Sequence, residues 1–367
     1  MKSARVALVH DWLVRWGGSE SVLRSLCNLF PEAPIYTAIW RPDSRVRRTF
    51  DHRDIRTTFL QPFATGPGGY KKLLPLMPVA FRALDLSSFD FVMSSSHSFA
   101  KAVRVGGNAV HVCYCHTPPR YIWDLQEEYL SLPARILAFP LLLALRRADL
   151  RAGESVDQFV ANSHFVASRI ERIYGRDATV VHPPVDVEAF GLKGDVPVGD
   201  YYLSGGRMVG YKRLDLAIRA ANQGGFKLVV FGEGPEESNL RRIAGPSVEF
   251  VGAVEDGELA QLIGGCRGLI FPGIEDFGIL PAEVQAAGRP VIALGRGGAR
   301  ETVVDGCTGV LFNEQTPEAI VGAIRRLRSL NITPGDCVQN AGRFSRARFE
   351  REIRDVCRRQ LANSIPQ

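Results

Sequence analysis

Residues 269–312 read LIFPGIEDFGILPAEVQAAGRPVIALGRGGARETVVDGCTGVLF. The apolar run Leu269–Phe271 predicts a buried strand that stops at a Pro-Gly pair. A polar loop follows, and then a helix is predicted, because Pro281 suits a first helical turn and Gly288 ends it. Val291–Leu294 predicts a second buried strand. Strand, helix and strand in this order predict an α/β fold with a parallel sheet.

Two carboxylates accompany this loop and helix. Glu275 lies in the loop and Glu283 lies on the predicted helix, so both are near the carboxyl end of a strand. Open α/β sheets bind ligands at that edge, and the free N–H groups of a helix N-terminus attract anions. A carboxylate in such a place suits the hydroxyl groups of a sugar better than a phosphate.

Two cations occupy an equivalent position in the preceding α/β unit. Arg207 and Lys212 flank a glycine turn between the predicted strand Tyr201–Ser204 and a helix. Two cations at the end of a strand suit a diphosphate leaving group, since each charge pair at ~4 Å contributes on the order of 4 kcal/mol at an effective dielectric constant near 20. A solvated surface pair is the alternative.

The first strand, Arg5–His10, also runs into a glycine turn. Gly17 and Gly18 precede a helix for which Ser19 is the predicted cap. Glycines at such a turn let backbone N–H groups approach a phosphate. Many α/β turns contain glycine for packing reasons alone, so both interpretations stay open here.

His116 directly follows the predicted strand Ala109–Cys115, again on the ligand side of a sheet. A single histidine is usually structural, but one held in a Thr-Pro-Pro loop at this edge is a candidate for function. Arg120, Tyr121 and Trp123 follow in the same loop and could line an acceptor pocket, because aromatic faces pack on sugar rings.

The spacing from Glu275 to Glu283, the Phe277–Gly278 pair, the GRPVIA segment and the GGARETVVDGCTGVLF tail resemble the retaining family 4 glycosyltransferases of the GT-B fold. The resemblance implies two Rossmann-like domains facing across a cleft. The implied boundaries are an acceptor-side domain over residues 1–184, a nucleotide-sugar-binding domain over residues 185–345, and a last helix, residues 346–367, that returns to the first domain.

The resemblance also implies roles for the candidate residues. Arg207 and Lys212 would bind the diphosphate, and Glu283 the ribose hydroxyls. The other implied donor contacts are Gly17 and Gly18 near the diphosphate, Gly252 and Val254 at the nucleotide base, Glu275 with the backbone of Phe277, Gly278, Ile279 and Leu280 at the donor sugar, and His116 beside that sugar. The implied catalytic residues are His116, Glu275, Arg207 and Lys212. No cofactor and no metal are expected, and the lack of an Asp-x-Asp triplet agrees with this.

Four segments, HDWLVRWGGSE, PEAPIYT, CHTPPRYIWD and GGARETV, look closest to the bacterial branch that includes O-antigen mannosyltransferases. This branch implies GDP-mannose as donor and a lipid-linked saccharide as acceptor in surface polysaccharide synthesis, including lipopolysaccharide. UDP-glucose and dTDP-rhamnose remain alternative donors. A sugar-nucleotide epimerase and a binding subunit without activity are the rival classes.

Size and composition set wider limits. With 367 residues, two domains of about 150 to 200 residues are expected, and 46% hydrophobic with 23% charged residues is ordinary for a soluble protein. Seven cysteines without a CxxC pair predict reduced thiols and a cytoplasmic location, and the N-terminus lacks a signal-peptide pattern. Cys113 and Cys115 alternate with Tyr114, which favours one face of a buried strand over a metal site.

Positive charge is concentrated in the first half. Residues 1–182 carry 23 Lys and Arg against 16 Asp and Glu, a net charge of +7, whereas residues 183–367 carry 22 against 23. The stretches Gly66–Leu86 and Leu130–Leu150 are apolar and also contain basic residues. They predict either a cover over the sheet or peripheral contact with an anionic membrane. The basic residues are scattered without an aromatic platform, so nucleic acid is not expected.

Overall fold

The computed structural model describes residues 4–66, 68–124, 127, 132–191 and 197–363. The chain forms two compact units. The first contains the chain up to Pro184 together with the segment from Phe349 onward, and the second is Val185–Arg348. Both units are built from parallel strands and helices.

The first unit begins with nine strands and six α-helices in the described residues. The strands are β1 Val6–His10, β2 Ile35–Thr37, β3 Ile55–Thr57, β4 Asp85–Leu86, β5 Phe91–Ser96, β6 Arg104–Val105, β7 Val110–Cys115, β8 Gln158–Ala161 and β9 Ala178–Val180. The α-helices are α1 Gly18–Leu29, α2 Ser44–Phe50, α3 Met77–Arg82, α4 Arg120–Trp123, α5 Leu132–Glu154 and α6 His164–Tyr174. Short 3-10 helices lie at Gln61–Phe63, Gly69–Leu76 and Ala100–Ala102.

Seven of these described strands form one sheet in the order β3-β2-β1-β5-β7-β8-β9, with parallel neighbours throughout, and β4 pairs separately with β6. His10 of β1 lies opposite Ser95 of β5. The chain adds strands on one side of β1 and then on the other, so β1 and β5 border a topological switch point. Ligands bind at such points in open α/β sheets.

The second unit has the same plan. Its strands are β10 Tyr202–Gly205, β11 Leu228–Phe231, β12 Val248–Gly252, β13 Leu269–Phe271, β14 Val291–Leu294 and β15 Gly309–Phe312. Its α-helices are α7 Val187–Phe190, α8 Leu214–Gly224, α9 Glu237–Ile243, α10 Asp256–Gly265, α11 Ile279–Ala286, α12 Ala299–Thr302, α13 Pro317–Ser329 and α14 Pro334–Gly342, and a 3-10 turn lies at Gly210–Lys212.

The six strands described in this unit form a parallel sheet in the order β12-β11-β10-β13-β14-β15, so β10 and β13 border its switch point. Helices cover both faces, which agrees with the uninterrupted apolar sequences of β11, β13, β14 and β15. In β14, Val291 and Ala293 pack into one buried cluster, whereas Ile292 and Leu294 pack into the other.

The last helix, α15, spans Arg346–Asn363. Phe349, Ile353 and Cys357 are buried in the core of the first unit, and the ring of Phe349 lies 5.6 Å from that of Tyr114. Spacing of four residues places these side chains on one helix face. The helix therefore completes the core of the first unit from the far end of the sequence.

Several predicted boundaries were wrong. The apolar segment Ile35–Trp40 predicts one strand, but β2 ends at Thr37, because its partner β1 ends at His10, directly opposite. Ser19 does not cap α1. It lies inside the helix, where its hydroxyl donates to Glu20, and Gly17 is the N-cap residue. Other elements shift by one to three residues. The apolar stretch of residues 130–150 lies largely in a helix that continues to residue 154, and residues 130 and 131 lie outside the described part.

No helix among the described residues is long and apolar enough to cross a bilayer.

Candidate functional site

The switch point of the second unit brings oppositely charged side chains together. Arg207 and Lys212 lie in the loop after β10, and Glu275 lies in the loop after β13. The Nζ atom of Lys212 is 2.8 Å from Oε1 of Glu275, and the two side chains are 16% and 21% exposed. Arg207 is exposed and makes no hydrogen bond or ion pair with the described residues. A cation available to a ligand thus accompanies an ion pair at this edge.

A glycine allows these two loops to approach. A Cβ atom on Gly273 would lie 2.7 Å from Cα of Lys212 and 2.8 Å from the carbonyl oxygen of Tyr211. Both atoms belong to the backbone, so a larger residue would push the loops apart. The contact between Lys212 and Glu275 depends on this close packing.

A second glycine pair supports the loop of Glu275 from the other side. The backbone N–H of Gly298 donates to the carbonyl of Glu275 at 2.9 Å. A Cβ on Gly298 would lie 2.2 Å from Cα of Phe277, and one on Gly297 would lie 2.5 Å from the carbonyl oxygen of Glu275. Sequence reasoning missed these two residues as parts of the site. The signal was present, since the Gly-Gly pair begins three residues after the end of the predicted strand Val291–Leu294.

Helix α11 begins at this loop. Gly278 is its N-cap residue and adopts the left-handed conformation, with φ of 86°. The ring of Phe277 is buried and lies 5.2 Å from that of Phe344, so only its backbone can meet a ligand. Ile279 and Leu280 are half-buried in the first turn, and Glu283 is half-buried on the same helix. The segment combines N–H groups with a carboxylate one turn further on.

The predicted base-contact residues lie at the same sheet edge, two strands from β10. Gly252 ends β12 with φ of 75°, and its carbonyl accepts from the N–H of Gly232 at 2.6 Å. Val254 is half-buried just before α10. The predicted donor contacts of the second unit thus all lie in segments that follow strands of one parallel sheet.

In the first unit, His116 follows β7 directly and is half-buried. Its backbone N–H donates to the carbonyl of Ser96 at 2.8 Å, and Asn162 donates to its carbonyl at 2.9 Å. Its Nε2 atom lies 2.8 Å from Oγ of Ser95. Burial, and then the neighbouring His97, lower the pKa of His116 well below its ordinary value. The imidazole is therefore neutral at neutral pH.

Asp11 and His97 were not predicted as part of this region. The fully buried carboxylate of Asp11 accepts four backbone N–H groups, those of residues 97 to 100, at 2.6 to 2.9 Å. It thereby joins the loops after β1 and β5, on the two sides of the switch point. Burial lowers the pKa of His97. The His-Asp pair at the end of the first predicted strand was the signal in the sequence.

Gly17 and Gly18 lie at the start of α1, as predicted, but the chain supplies its own carboxylate there. Glu20 is 3% exposed in the first turn, and a Cβ on Gly17 would lie 3.2 Å from its Oε2 atom. Acidic groups are stabilised at this end of a helix. Contact of Gly17 and Gly18 with a diphosphate stays a prediction.

The predicted acceptor residues Arg120, Tyr121 and Trp123 form α4, and all three are half-buried. The Nε1 atom of Trp123 donates to Asp149 at 2.8 Å, and the hydroxyl of Tyr121 lies 2.7 Å from Oγ of Ser98. The polar ends of both aromatic side chains are therefore used inside the unit. A role of Tyr121 and Trp123 in binding the acceptor substrate stays a prediction, and it would involve only the faces of their rings.

Within the described residues, no group of three or more His, Cys, Asp and Glu side chains could hold a metal ion. All seven cysteines are free, and six of them are buried.

Comparison with known proteins gives two family matches. A family model described as Glycosyltransferase Family 4 matches residues 16–189, and one described as Glycosyl transferases group 1 matches residues 198–344. Together they cover most of the 367 residues, one match in each unit.

Among curated proteins, a D-inositol 3-phosphate glycosyltransferase of Nocardioides sp. is 30% identical over 254 residues, which are 57% of this chain and 55% of the relative. An uncharacterized glycosyltransferase of Methanocaldococcus jannaschii is 26% identical over 176 residues, 47% of this chain and 49% of the relative. The matches thus span about half the length of these relatives.

Two solved structures are similar over almost the whole chain. HepE of Anabaena, in complex with UDP, has a TM-score of 0.70 at 16% identity and covers 96% of this chain and 99% of its own. Sucrose-phosphate synthase of Thermosynechococcus elongatus has a TM-score of 0.76 at 17% identity and covers 98% of this chain and 100% of its own. The chain therefore has the GT-B fold, with a domain that matches Glycosyltransferase Family 4 over residues 16–189 and one that matches Glycosyl transferases group 1 over residues 198–344.

Proposed function

We propose that the protein transfers a hexose from a sugar nucleotide to an acceptor hydroxyl. The observation that carries this proposal is the grouping of Arg207, Lys212 and Glu275 at the switch point of the second unit. In the reaction, the bond between C1 of the sugar and the diphosphate oxygen breaks, and a bond from C1 to the acceptor oxygen forms. The acceptor loses a proton and the nucleoside diphosphate leaves.

Each charged group has a separate task in this reaction. Arg207 and Lys212 bind the diphosphate and stabilise the negative charge that grows on it as it leaves. Glu275 accepts hydrogen bonds from the sugar hydroxyls and Glu283 from the ribose. Two side-chain cations with the N–H groups of α11 can replace a metal ion, so we propose a metal-independent reaction. Retention of configuration is proposed from the resemblance of the motifs to family 4 enzymes.

GDP-mannose is the proposed donor of mannose, and a lipid-linked saccharide of a bacterial surface polysaccharide is the proposed acceptor. The proposed location of the reaction is the inner face of the cytoplasmic membrane. UDP-glucose and dTDP-rhamnose are the competing donors. The names of the curated relatives add D-inositol 3-phosphate as a competing acceptor.

A panel of nucleotide sugars tests the donor. A ligand that binds only the folded protein raises the melting temperature according to its concentration over its dissociation constant, so GDP-mannose should give the largest shift. Product analysis by NMR with mixed acceptors, with and without EDTA, then separates transfer from epimerisation. An altered free sugar nucleotide formed without acceptor would exclude a transferase, and loss of turnover in EDTA would exclude the metal-independent reaction.

Matched lysine substitutions test the site. Lys212→Met removes a charge next to the proposed diphosphate, and we expect donor affinity to fall by about 100-fold, equivalent to ~3 kcal/mol. Lys227→Met is the control, because Lys227 is exposed directly before β11, at the opposite edge of the same sheet. Equal donor affinity in the two variants would refute the assignment of Lys212.

Glu275 gives a test in the opposite direction. Its carboxylate is an anion next to the proposed diphosphate and neutralises Lys212. Glu275→Gln should therefore bind the free nucleoside diphosphate about 3- to 10-fold more tightly, while sugar transfer falls. Weaker binding of the diphosphate to Glu275→Gln would show that the two charges serve a structural purpose only.

We also propose that the first unit touches an anionic bilayer through an exposed apolar surface. This surface is defined by Leu76, Val79, Ile136, Leu137 and Phe139, which are 50%, 60%, 69%, 86% and 61% exposed. No residue of 132–141, the first ten residues of α5, is buried. Arg135 is the one charged residue among these ten, and an exposed apolar segment of this size marks an interaction surface.

The packing joins the two parts of this surface. Ala80 of α3 and Leu142 of α5 lie in the same buried cluster, and the two helices are in contact. Lys71, Lys72 and Arg82 are exposed beside them in the chain. Basic residues at an anionic lipid surface contribute about 1 kcal/mol each, so charge favours an anionic bilayer as the partner.

Co-sedimentation with vesicles tests this surface. Binding should occur with phosphatidylglycerol vesicles, should be weak with phosphatidylcholine alone, and should fall by at least 10-fold in Leu137→Glu. Val198→Glu is the control, since Val198 is 55% exposed in the second unit. A dimer in solution that Leu137→Glu dissociates, without vesicle binding in the parent, would assign the surface to a second copy of the chain.

A further inference from the structure

Four buried or half-buried side chains form a hydrogen-bonded chain across the sheet of the first unit. His10 ends β1 and Ser95 lies opposite it in β5, where both are fully buried. The Nδ1 atom of His10 is 3.1 Å from Oγ of Ser95, and that oxygen is 2.8 Å from Nε2 of His116. At the other end, Nε2 of His10 lies 3.4 Å from Oε1 of Glu20. The chain therefore connects the start of α1 to the end of β7.

With His10 taken as a neutral imidazole, the chemistry of these groups gives the direction of each hydrogen bond. A carboxylate only accepts, so His10 must direct its N–H at Glu20 from Nε2. In a neutral imidazole the other nitrogen then carries a lone pair, and Nδ1 of His10 accepts from Ser95. The hydroxyl of Ser95 has one proton, which this bond uses.

The same reasoning reaches His116. Because the proton of Ser95 is directed at His10, the oxygen of Ser95 can only accept from His116. The proton of neutral His116 is therefore on Nε2, and Nδ1 keeps a lone pair. No described residue hydrogen-bonds to Nδ1 of His116, so this nitrogen is available to a substrate.

We propose that Glu20, His10 and Ser95 are positioning residues that hold His116 in the Nε2–H tautomer, so that Nδ1 accepts a hydrogen bond from a hydroxyl of the substrate. The chain of hydrogen bonds stands on the geometry of the first unit alone, and the use made of Nδ1 rests on the proposed glycosyl transfer. In the Nδ1–H tautomer, His116 would present an N–H to that hydroxyl and would offer it no acceptor.

Burial lowers the pKa of His116 and that of His97, so these two rings are neutral. His97 packs against both rings, at 6.2 Å from His10 and 6.1 Å from His116, and a positive charge on any of the three would repel a second one. Burial of the site also disfavours a charged ring. The backbone of His116 is fixed at both its N–H and its carbonyl, so the ring has little freedom to turn away from Ser95.

The chain offers a matched control for Ser95. Ser94, the preceding residue of β5, is also fully buried and lies 2.8 Å from Nε2 of another buried histidine, His111. Successive residues of a strand point to opposite faces of the sheet, so this second pair is separate from the first. Ser94→Ala removes the same group, from the same strand, and the same kind of bond.

The experiment records the ring nitrogens of the whole protein by NMR after labelling of histidine with nitrogen-15. We expect the parent to show His116 protonated on Nε2, Ser95→Ala to lose this preference, and Ser94→Ala to keep it. Ser95→Thr, which restores a hydroxyl, should recover it. If Ser95→Ala fails to fold, Ser95→Cys replaces it, because a thiol of similar size hydrogen-bonds weakly.

Kinetics provide the functional readout. Ser95→Ala should lower kcat by about 10- to 100-fold, the range found for hydrogen-bond partners that orient metal-bound histidines, with little change in the KM of the donor. His116 protonated on Nδ1 in the parent, or an unchanged tautomer in Ser95→Ala, would overturn the proposal. The NMR spectra test the chain of hydrogen bonds even if the protein transfers no sugar. Turnover with an unaltered kcat in Ser95→Ala would refute the use of Nδ1 without affecting the donor site.

Discussion

Lys101 and Asp149 form an ion pair inside the first unit that no solvent reaches. The Nζ atom of Lys101 is 2.6 Å from Oδ1 of Asp149, and the two side chains are 1% and 0% exposed. Oδ2 of Asp149 accepts from Tyr174 at 2.9 Å and from Trp123 at 2.8 Å. Burial lowers the pKa of Lys101, but the adjacent carboxylate of Asp149, together with the nearby Cys115 and Cys113, raises it; the net shift is upward, so the lysine is charged.

Lys101→Met would leave the carboxylate of Asp149 buried with two neutral donors and no cation. Breaking a buried pair from one side costs about 3 to 5 kcal/mol, because an uncompensated charge remains. The free energy of unfolding of a domain is about 5 to 15 kcal/mol, so this loss is a large fraction of the total. For a unit of this size we expect the melting temperature to fall by about 6 to 20 °C.

The double variant Lys101→Met/Asp149→Asn should recover much of this loss. The asparagine has no charge, and its carbonyl oxygen can still accept from Tyr174 and Trp123. We expect the double variant to be more stable than Lys101→Met alone, with a coupling energy of about 1 to 3 kcal/mol. A simple sum of the two single effects would show that the pair does not act as a unit.

Urea unfolding followed by tryptophan fluorescence measures this effect in the first unit alone, since all four tryptophans lie at positions 12, 16, 40 and 123. Lys72→Met is the control, because Lys72 is exposed and surface substitutions usually change stability by less than about 0.5 kcal/mol. A loss below about 1 kcal/mol in Lys101→Met would refute the reasoning that the charges compensate each other in a dry interior.

Two further predictions concern pH and backbone packing. Burial lowers the pKa of His111 from 6.5 to about 4, so the unfolded chain takes up this proton first as the pH falls, and stability should drop by about 3 kcal/mol between pH 7 and pH 4. His111→Gln should flatten the plot of unfolding free energy against pH in this window, whereas the exposed His52→Gln should not; parallel curves would contradict the assignment. Gly298→Ala would place a Cβ 2.2 Å from Cα of Phe277 and should destabilise the second unit by about 1 to 3 kcal/mol in circular dichroism melts. Gly257→Ala is the control and should leave the melting temperature unchanged, because nothing lies within 4 Å of a Cβ atom there. Equal melting temperatures of the two variants would show that the loop accommodates the Cβ of Gly298→Ala without loss of stability.

The sequence predicts the α/β class correctly because strand ends, glycine turns and helix starts are local signals. The GT-B fold is implied by the resemblance of its motifs to family 4 glycosyltransferases, and the comparisons confirm it. Leu269–Phe271 and Val291–Leu294 are strands with the predicted bounds. The sequence also places Lys212 and Glu275 in segments that follow predicted strands. It cannot place them at 2.8 Å from each other, because that distance depends on β10 and β13 being neighbours in the sheet, although two strands separate them along the chain.

The chain of hydrogen bonds in the first unit was out of reach for the same reason. His10 and Ser95 are 85 residues apart, and their contact comes from the parallel register of β1 with β5. A single serine inside a buried strand has no periodicity that marks it as polar and functional. Once the register is known, the interpretation of His116 as a candidate gains a physical cause that the sequence could not supply.

The two switch points use one carboxylate each, with different physical consequences. In the first unit, Asp11 is fully buried and accepts four backbone N–H groups, so opening this contact would leave a charge and four donors unsatisfied in a dry interior. In the second unit, Glu275 meets a side-chain cation on a flexible stem, and both partners remain about one-fifth exposed. Water can compensate these charges when they separate. An arriving diphosphate can therefore compete for Lys212, whereas no ligand can compete for the amides that hold Asp11. The first switch point is built to stay fixed. The second can exchange an internal ion pair for a bound anion, as the proposed binding and release of a nucleoside diphosphate requires.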